Sequence, residues 1–228
     1  MILLCISDVH GNLDALRAVL ATAERRSFHK LLVAGDVVFP GLDDAGRAQP
    51  LETWRRLSAA GAVMVQGVTD RAIATLDPLK IAPKSEHEQK MVERMKAVRA
   101  ELGDLVLERI RRLPTQVRFP LEDGGELVLV HGSPMDPAEA MSQEMDDDEL
   151  SALIGDDPAD LIVCGMSHVP FDRVVSGARI VNVGSVGEAP DNVTLRGDPM
   201  VAHATWIESR PSGLHIEPIV VPLREAAA

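Results

Sequence analysis

The chain has 228 residues, 46% of them hydrophobic and 25% charged, with 3% aromatic and no Tyr. This is ordinary globular composition, long enough for one large α/β domain whose core must be packed with Val, Leu, Ile, Met and Ala. Against 23 basic residues stand 35 acidic ones, a net charge of −12, which excludes a general basic surface for duplex nucleic acid and disfavours anionic membranes.

No uncharged apolar stretch approaches the ~18 residues of a membrane-spanning helix. Met1 to Ser7 is apolar but lacks a basic start and runs straight into Asp8, unlike a signal peptide. The expectation is a soluble cytoplasmic protein, with Cys5 and Cys164 as buried strand thiols.

Ile2–Ser7 is a continuous apolar run, as in a strand buried on both faces. Asn12 can cap a helix carrying Leu13, Leu16, Leu20 and Ala23 at helical spacing. A second strand over Leu31–Ala34, a Gly/Pro/Asp-rich loop over Pro40–Gly46, a helix over Leu51–Ala60 and a third strand over Ala62–Gln66 follow. Strands alternating with helices predict βαβ units and a mainly parallel sheet. Ser85–Leu113 reads as one long amphipathic helix or a broken pair, with Met91, Met95, Val98, Leu102, Leu105 and Ile110 on its apolar face. Gln116–Leu121 and Glu126–Val130, joined by Asp123-Gly124-Gly125, read as a hairpin. The acidic run Asp146–Glu149 reads as the solvated start of a short helix to Ile154. Strands are expected over Leu161–Cys164, Phe171–Val175, Ala178–Val183, Val201–Glu208 and Leu214–Val221. Without a repeat or linker, one domain spanning 1–228, with a helical insertion around 71–115, is the economical organisation.

The apolar runs end in a recurring way. Ile2–Ser7 leads into Asp8-Val9-His10-Gly11-Asn12, Leu31–Ala34 into Gly35-Asp36, and Ala62–Gln66 into Gly67-Val68-Thr69-Asp70. Leu127–Val130 leads into His131-Gly132, and Leu161–Cys164 into Gly165-Met166-Ser167-His168. Ligand sites of α/β sheets collect at the carboxyl ends of strands. Asp8 and His10, two apart, leave extended backbone on the same side, and mixed Asp and His donors suit Mn, Fe or Zn better than Ca. His29, His87, His203 and His215 lie outside this pattern and read as structural or surface residues.

Taken in order, Asp-x-His-Gly-Asn, Gly-Asp, Gly-x-x-Asp, His-Gly and Gly-x-x-His resemble the calcineurin-like metallophosphoesterase superfamily, nearest to its small bacterial phosphodiesterase branch. His131-Gly-Ser-Pro and Asn182-Val-Gly-Ser-Val-Gly extend the likeness over nearly the whole chain. The resemblance implies a four-layer α/β/β/α sandwich of two mixed β-sheets. It also implies a two-metal centre, with Asp8, His10 and His168 on the first ion, Asp36 bridging and His131 on the second. Asn12 and Asp70 would then be supporting residues behind the ligands.

Two departures fall on one metal. Val68 stands where the family pattern Gly-Asn-x-Asp has Asn, and Met166 where Gly-His-x-His has its first His. Val cannot coordinate, and a thioether is a poor donor for these ions. The expectation is one tight divalent ion and a weak or absent second site. The function expected is phosphomonoester or phosphodiester hydrolysis by a metal-bound water. Thr69, where some branches have a His, is a poor acid, so no general acid is identified. The substrate would be a phosphate-ester small molecule or nucleotide, admitted by the positive charge of the metal; Arg71 and Arg196 could add to that charge but read first as ordinary solvated surface arginines. The other reading is an impaired relative that binds metal and a phosphate or nucleotide ligand as a sensor or partner protein.

Overall fold

The computed structural model describes residues 1–41, 48–190 and 200–223. In chain order the elements are β1 (Ile2–Ile6), α1 (Leu13–Ala23), β2 (Lys30–Val33), α2 (Pro50–Ala59), β3 (Val63–Met64), α3 (Val68–Thr75) and α4 (Glu86–Arg111). Then come β4 (Gln116–Pro120), β5 (Glu126–Val130), α5 (Asp147–Ile154), β6 (Leu161–Cys164), β7 (Phe171–Val175), β8 (Ala178–Asn182), β9 (Val201–Arg210) and β10 (Gly213–Pro222).

The strands form two five-stranded sheets, in the orders β10-β9-β1-β2-β3 and β4-β5-β6-β8-β7. The first βαβ units pair in parallel as expected, β1 with β2 and β2 with β3. The sheets as wholes are mixed, as the family resemblance implies and not mainly parallel as the βαβ units alone predict, because β9 runs antiparallel to β1 and β10 to β9. In the second sheet β4 and β7 are antiparallel edges on a parallel β5-β6-β8 centre. The chain leaves each of those edges by a hairpin-length connection, to β5 and to β8, which forces antiparallel pairing.

Two-faced strands dictate the layers. Successive side chains of a strand point to opposite faces. Leu4 and Ile6 of β1, with Leu31 and Val33 of β2, pack on Leu16, Val19, Trp54, Leu57, Met95 and Val98 of the helices. Leu3, Cys5 and Leu32 point the other way, onto Leu127, Leu129, Leu161 and Val163 of the second sheet. Val128, Val130, Ile162 and Ile180 then face α5 through Leu150 and Ile154. Apolar runs without alternation are thus required by burial on both faces, and the result is helices, sheet, sheet and helix in four layers.

Asn12 caps α1, its side chain accepting from the Ala15 amide, and Asp146 caps α5 in a reciprocal box with Glu149. The long amphipathic stretch forms α4, broken at Gly103, whose φ of 70° and ψ of 164° leave the helical region. Met95 lies in the core and Met91 packs against it. Cys5 and Cys164 are buried free thiols.

α3 is the element the sequence does not announce, because only Ile73, Ala74 and Asp70 of its eight residues are buried. Tertiary contacts hold it instead. Arg99 donates to the Ile73 and Leu76 carbonyls and Arg111 to that of Ala74, so α4 satisfies the orphan acceptors at its end. Pro40–Gly46 falls mostly outside the described residues. None of the described helices is long and apolar enough to cross a membrane.

Candidate metal centre

The carboxyl ends of β1 and β2 in one sheet, and of β5 and β6 in the other, open at the same edge of the sandwich. Their trailing residues form two clusters, Asp8 with His10 and His168, and Asp8 with Asp36 and His131. Within each cluster the donor atoms lie within 4.8 Å of one another. Asp8 Oδ1 is 3.2 Å from His168 Nε2 and 3.7 Å from His10 Nε2, and the two Nε2 atoms are 3.3 Å apart. Asp36 Oδ2 is 3.4 Å from His131 Nε2.

The backbone is bent to achieve this. Asp8, His10, Asp36, Met166 and His168 all have φ between 49° and 66°, a region costing of order 1–3 kcal/mol per residue. The surrounding structure offsets that strain by continuing the ladder past the strands. The Asp8 amide donates to the Gly35 carbonyl, that of His10 to Asp36 and that of Gly11 to Val37. Gly165 lets the second sheet approach, since a Cβ there would collide with Ser7 Oγ and stand 2.5 Å from Asp8 Oδ2.

Four of the five donors are aimed from behind. His10 Nδ1 lies 2.7 Å from the Phe39 carbonyl oxygen and His131 Nδ1 2.6 Å from that of Ala34. A carbonyl accepts only from N–H, so both rings turn Nε2 inward. Asp8 Oδ2 accepts from the Met166 amide at 2.9 Å and Asp36 Oδ1 from the Thr69 amide at 2.8 Å, leaving their other oxygens for the clusters. Asp8 Oδ1 and His131 Nε2 are buried without a hydrogen-bond partner. Orphaned buried polar atoms are costly, and a cation between them satisfies both. The donor set fits a divalent transition metal.

Asn12 and Asp70 touch neither cluster directly. Asn12, besides capping α1, donates to the Gly187 carbonyl at 3.3 Å. Asp70, fully buried, accepts from the Val37 amide at 3.0 Å and the Gly67 amide at 3.2 Å, binding the loop after Asp36 to the start of α3. Burial, then the charge of Asp36, pushes its carboxyl up to about 6, although both amides pull the other way. Asp70→Asn sets an NH2 against one of those amides. It is expected to cost about 1–3 kcal/mol in urea unfolding, through a loss the isosteric shape cannot prevent.

Burial works against charge on His10, but Asp8, Glu188 and Asp36 outweigh it and hold the imidazole at about 10. Burial likewise opposes charge on His131, and Asp36 with Asp8 raises it to about 9. Burial favours neutral Asp8 and Asp36, yet the facing imidazoles hold both below the usual carboxylate range. At neutral pH the cation-free centre is therefore imidazolium on carboxylate. A metal needs neutral Nε2 and must expel those protons. Metal affinity is expected to climb between about pH 7 and 10, with proton release visible as buffer-dependent heats in titration calorimetry. The cation-free fold responds oppositely. Both imidazoles titrate above their unfolded value of about 6.5, so their stabilisation is complete below it and lost as pH rises through about 9 to 10.

Glu188 was not singled out by the motifs, although the run Asn182–Gly187 that delivers it was. Its Oε2 lies 3.6 Å from His10 Nε2. Ser185 Oγ donates to the Asp8 carbonyl, and Asn182 Nδ2 to that of Gly165. Val68 is 37% exposed, and Met166 is half-buried. His29, His87, His203 and His215 join neither cluster; His29 accepts from the Ile2 amide, and His203 is buried in β9. Arg71 is exposed on α3, and Arg196 lies outside the described residues.

Three solved structures illustrate the likeness, each at an identity that speaks for fold alone. The hypothetical protein PH1004 of Pyrococcus horikoshii OT3 aligns with a TM-score of 0.77 at 20% identity, over 98% of this chain and 89% of that one. A metallophosphoesterase of Sphaerobacter thermophilus gives 0.71 at 22% identity, over 96% and 88%. YfcE, a phosphoesterase from E. coli, gives 0.51 at 21% identity, over 91% and 88%. No curated protein matches the sequence. Residues 1–199 match the family model described as the calcineurin-like phosphoesterase superfamily domain. With that match over most of its length, and with Asp and His donors converging where two mixed sheets meet, the chain belongs to the calcineurin-like phosphoesterase superfamily.

Proposed function

We propose that the protein is a metal-dependent phosphoesterase that works with one firmly held divalent ion. The observation that carries this reading is the convergence of Asp8, His10 and His168 donor atoms within 4.8 Å of one another, with Asp8 Oδ1 buried and unpartnered. A divalent ion supplies Lewis acidity toward a phosphoryl oxygen and lowers the pKa of water. Asp8, His10 and His168 make the firm position, with Asp36 proposed as the bridging donor, whereas Asp8, Asp36 and His131 make a poorer one, because Val68 and Met166 offer no hard donor. Mn, Fe or Zn suits such donors.

This chain's residues place limits on the substrate. Thr69 sits in the first turn of α3, its amide on Asp36, and its hydroxyl is far too weak an acid to protonate a leaving group. Phosphate esters whose leaving groups depart unaided are favoured, a small phosphodiester or nucleotide derivative rather than duplex nucleic acid. The test is elemental analysis of protein purified without chelator, combined with hydrolysis of bis(p-nitrophenyl) phosphate in Mn²⁺. About one ion per chain and chelator-sensitive turnover are expected; chelator-insensitive turnover, or the absence of metal uptake, overturns the reading.

The same substitutions, Val68, Thr69 and Met166, favour a second reading, an impaired relative that binds metal and a phosphate or nucleotide ligand as a sensor or partner protein. Metal uptake and a phosphate-dependent rise in melting temperature, without turnover of any aryl phosphate ester, select it.

A further inference from the structure

We infer that Glu188 is a second carboxylate for the cation position formed by Asp8, His10 and His168, an inference that rests on the metal reading of that centre. The segment after β8 is stitched to the backbone that bears the first ligands. Val186 donates to the Ser7 carbonyl at 3.0 Å and Gly187 to that of Asp8 at 2.9 Å. Asn12 holds the Gly187 carbonyl, and the Glu188 amide donates to Ser185 Oγ at 2.8 Å. The Glu188 side chain is thereby delivered to His10.

One oxygen is occupied and the other is free for a cation. Glu188 Oε1 accepts from the Gly41 amide at 2.8 Å, while Oε2 stands 3.6 Å from His10 Nε2. Donors each about 2.0–2.2 Å from one ion sit roughly 3 to 4.4 Å apart, so this spacing suits a shared cation. Among the described residues no Lys or Arg pairs with Glu188, and at 34% exposure its carboxylate has room to turn. It stands outside the tight triad and approaches from the His10 side. Asp8, 0% exposed with Oδ1 unpartnered, marks the position toward which Glu188 closes.

A further carboxylate strengthens the first position for a hard divalent ion and shifts its preference toward manganese over zinc. This gives the chain a means of holding one ion firmly without the donors missing at Val68 and Met166. Asn12 then acts as a positioning residue for the segment that carries Glu188.

The test is Mn²⁺ affinity of the full chain, by competition with a fluorescent chelator, for wild type, Glu188→Gln and Glu188→Ala. Gln keeps an acceptor for the Gly41 amide and removes the charge. It is expected to weaken Mn²⁺ binding about 10–100-fold, with Zn²⁺ affected less. Unchanged affinity in Glu188→Gln overturns the inference while leaving the metal reading intact. Loss in Glu188→Ala alone overturns it too, assigning the side chain to tethering Gly41. A wild type that takes up no Mn²⁺ overturns both.

Discussion

Val68→Asn combined with Met166→His is expected to add a second tightly held divalent ion and to speed hydrolysis of an activated aryl phosphodiester. The gain should be on the order of 10²–10³, the scale on which one preorganised charge-stabilising group acts in a transition state. Both side chains leave backbone already pinned to ligand carboxylates. Val68 immediately precedes Thr69, whose amide holds Asp36, and the Met166 amide itself holds Asp8. Neither change burdens the fold. Val68 is 37% exposed in the first turn of α3, and Met166 has φ of 66°, where His is tolerated better than Met. Elemental analysis and steady-state kinetics check the outcome. An unaltered ion count, or a wild type that already matches the double variant, defeats the assignment of these positions.

Gly67→Ala is expected to do the reverse and collapse metal binding. A Cβ at Gly67 would collide with Asp36 Oδ1 and its backbone nitrogen and lie 2.7 Å from Cγ. Gly35 faces it so closely that a Cβ on Gly35 would stand 2.8 Å from Gly67 Cα, leaving no room to retreat. Overpacking of this kind costs about 1–3 kcal/mol, occasionally more. Displacing Asp36 from the Thr69 amide should weaken metal affinity by at least the 10–100-fold typical of disturbed ligand support. Urea unfolding and chelator competition measure the two losses separately. An Ala variant with wild-type affinity shows that Asp36 does not depend on this contact.

Periodicity made most of the scaffold legible. Leu161–Cys164 and Phe171–Val175 coincide with β6 and β7, because short apolar runs bounded by Gly, Pro and Asp leave little choice. Asp146 was readable as a helix start, because its acceptor sits three residues before Glu149. α3 was not readable, because its stability comes from Arg99 and Arg111 of another helix, which local spacing does not encode. The β4–β5 hairpin was legible from its Gly-rich turn, but the antiparallel pairing of β9 on β1 was not, for a related reason. Pairing direction depends on where a strand docks, and β9 returns to β1 from the far end of the chain.

At the centre, the order of residue types in the chain was enough to nominate Asp8, His10, Asp36, His131 and His168, because strand ends are where side chains escape a two-faced sheet. The sequence by itself determined the strands buried on both faces and the strand-end donors, since each follows from residue type and local period, while the layers and the missing donors at Val68 and Met166 followed from the family resemblance. Only the tertiary structure decided which nitrogen of His10 and His131 faces inward, that Asp70 braces α3, and that Glu188 reaches His10. Those depend on carbonyls, amides and close backbone approaches contributed by segments remote in sequence, and distance in space has no local signature in the chain.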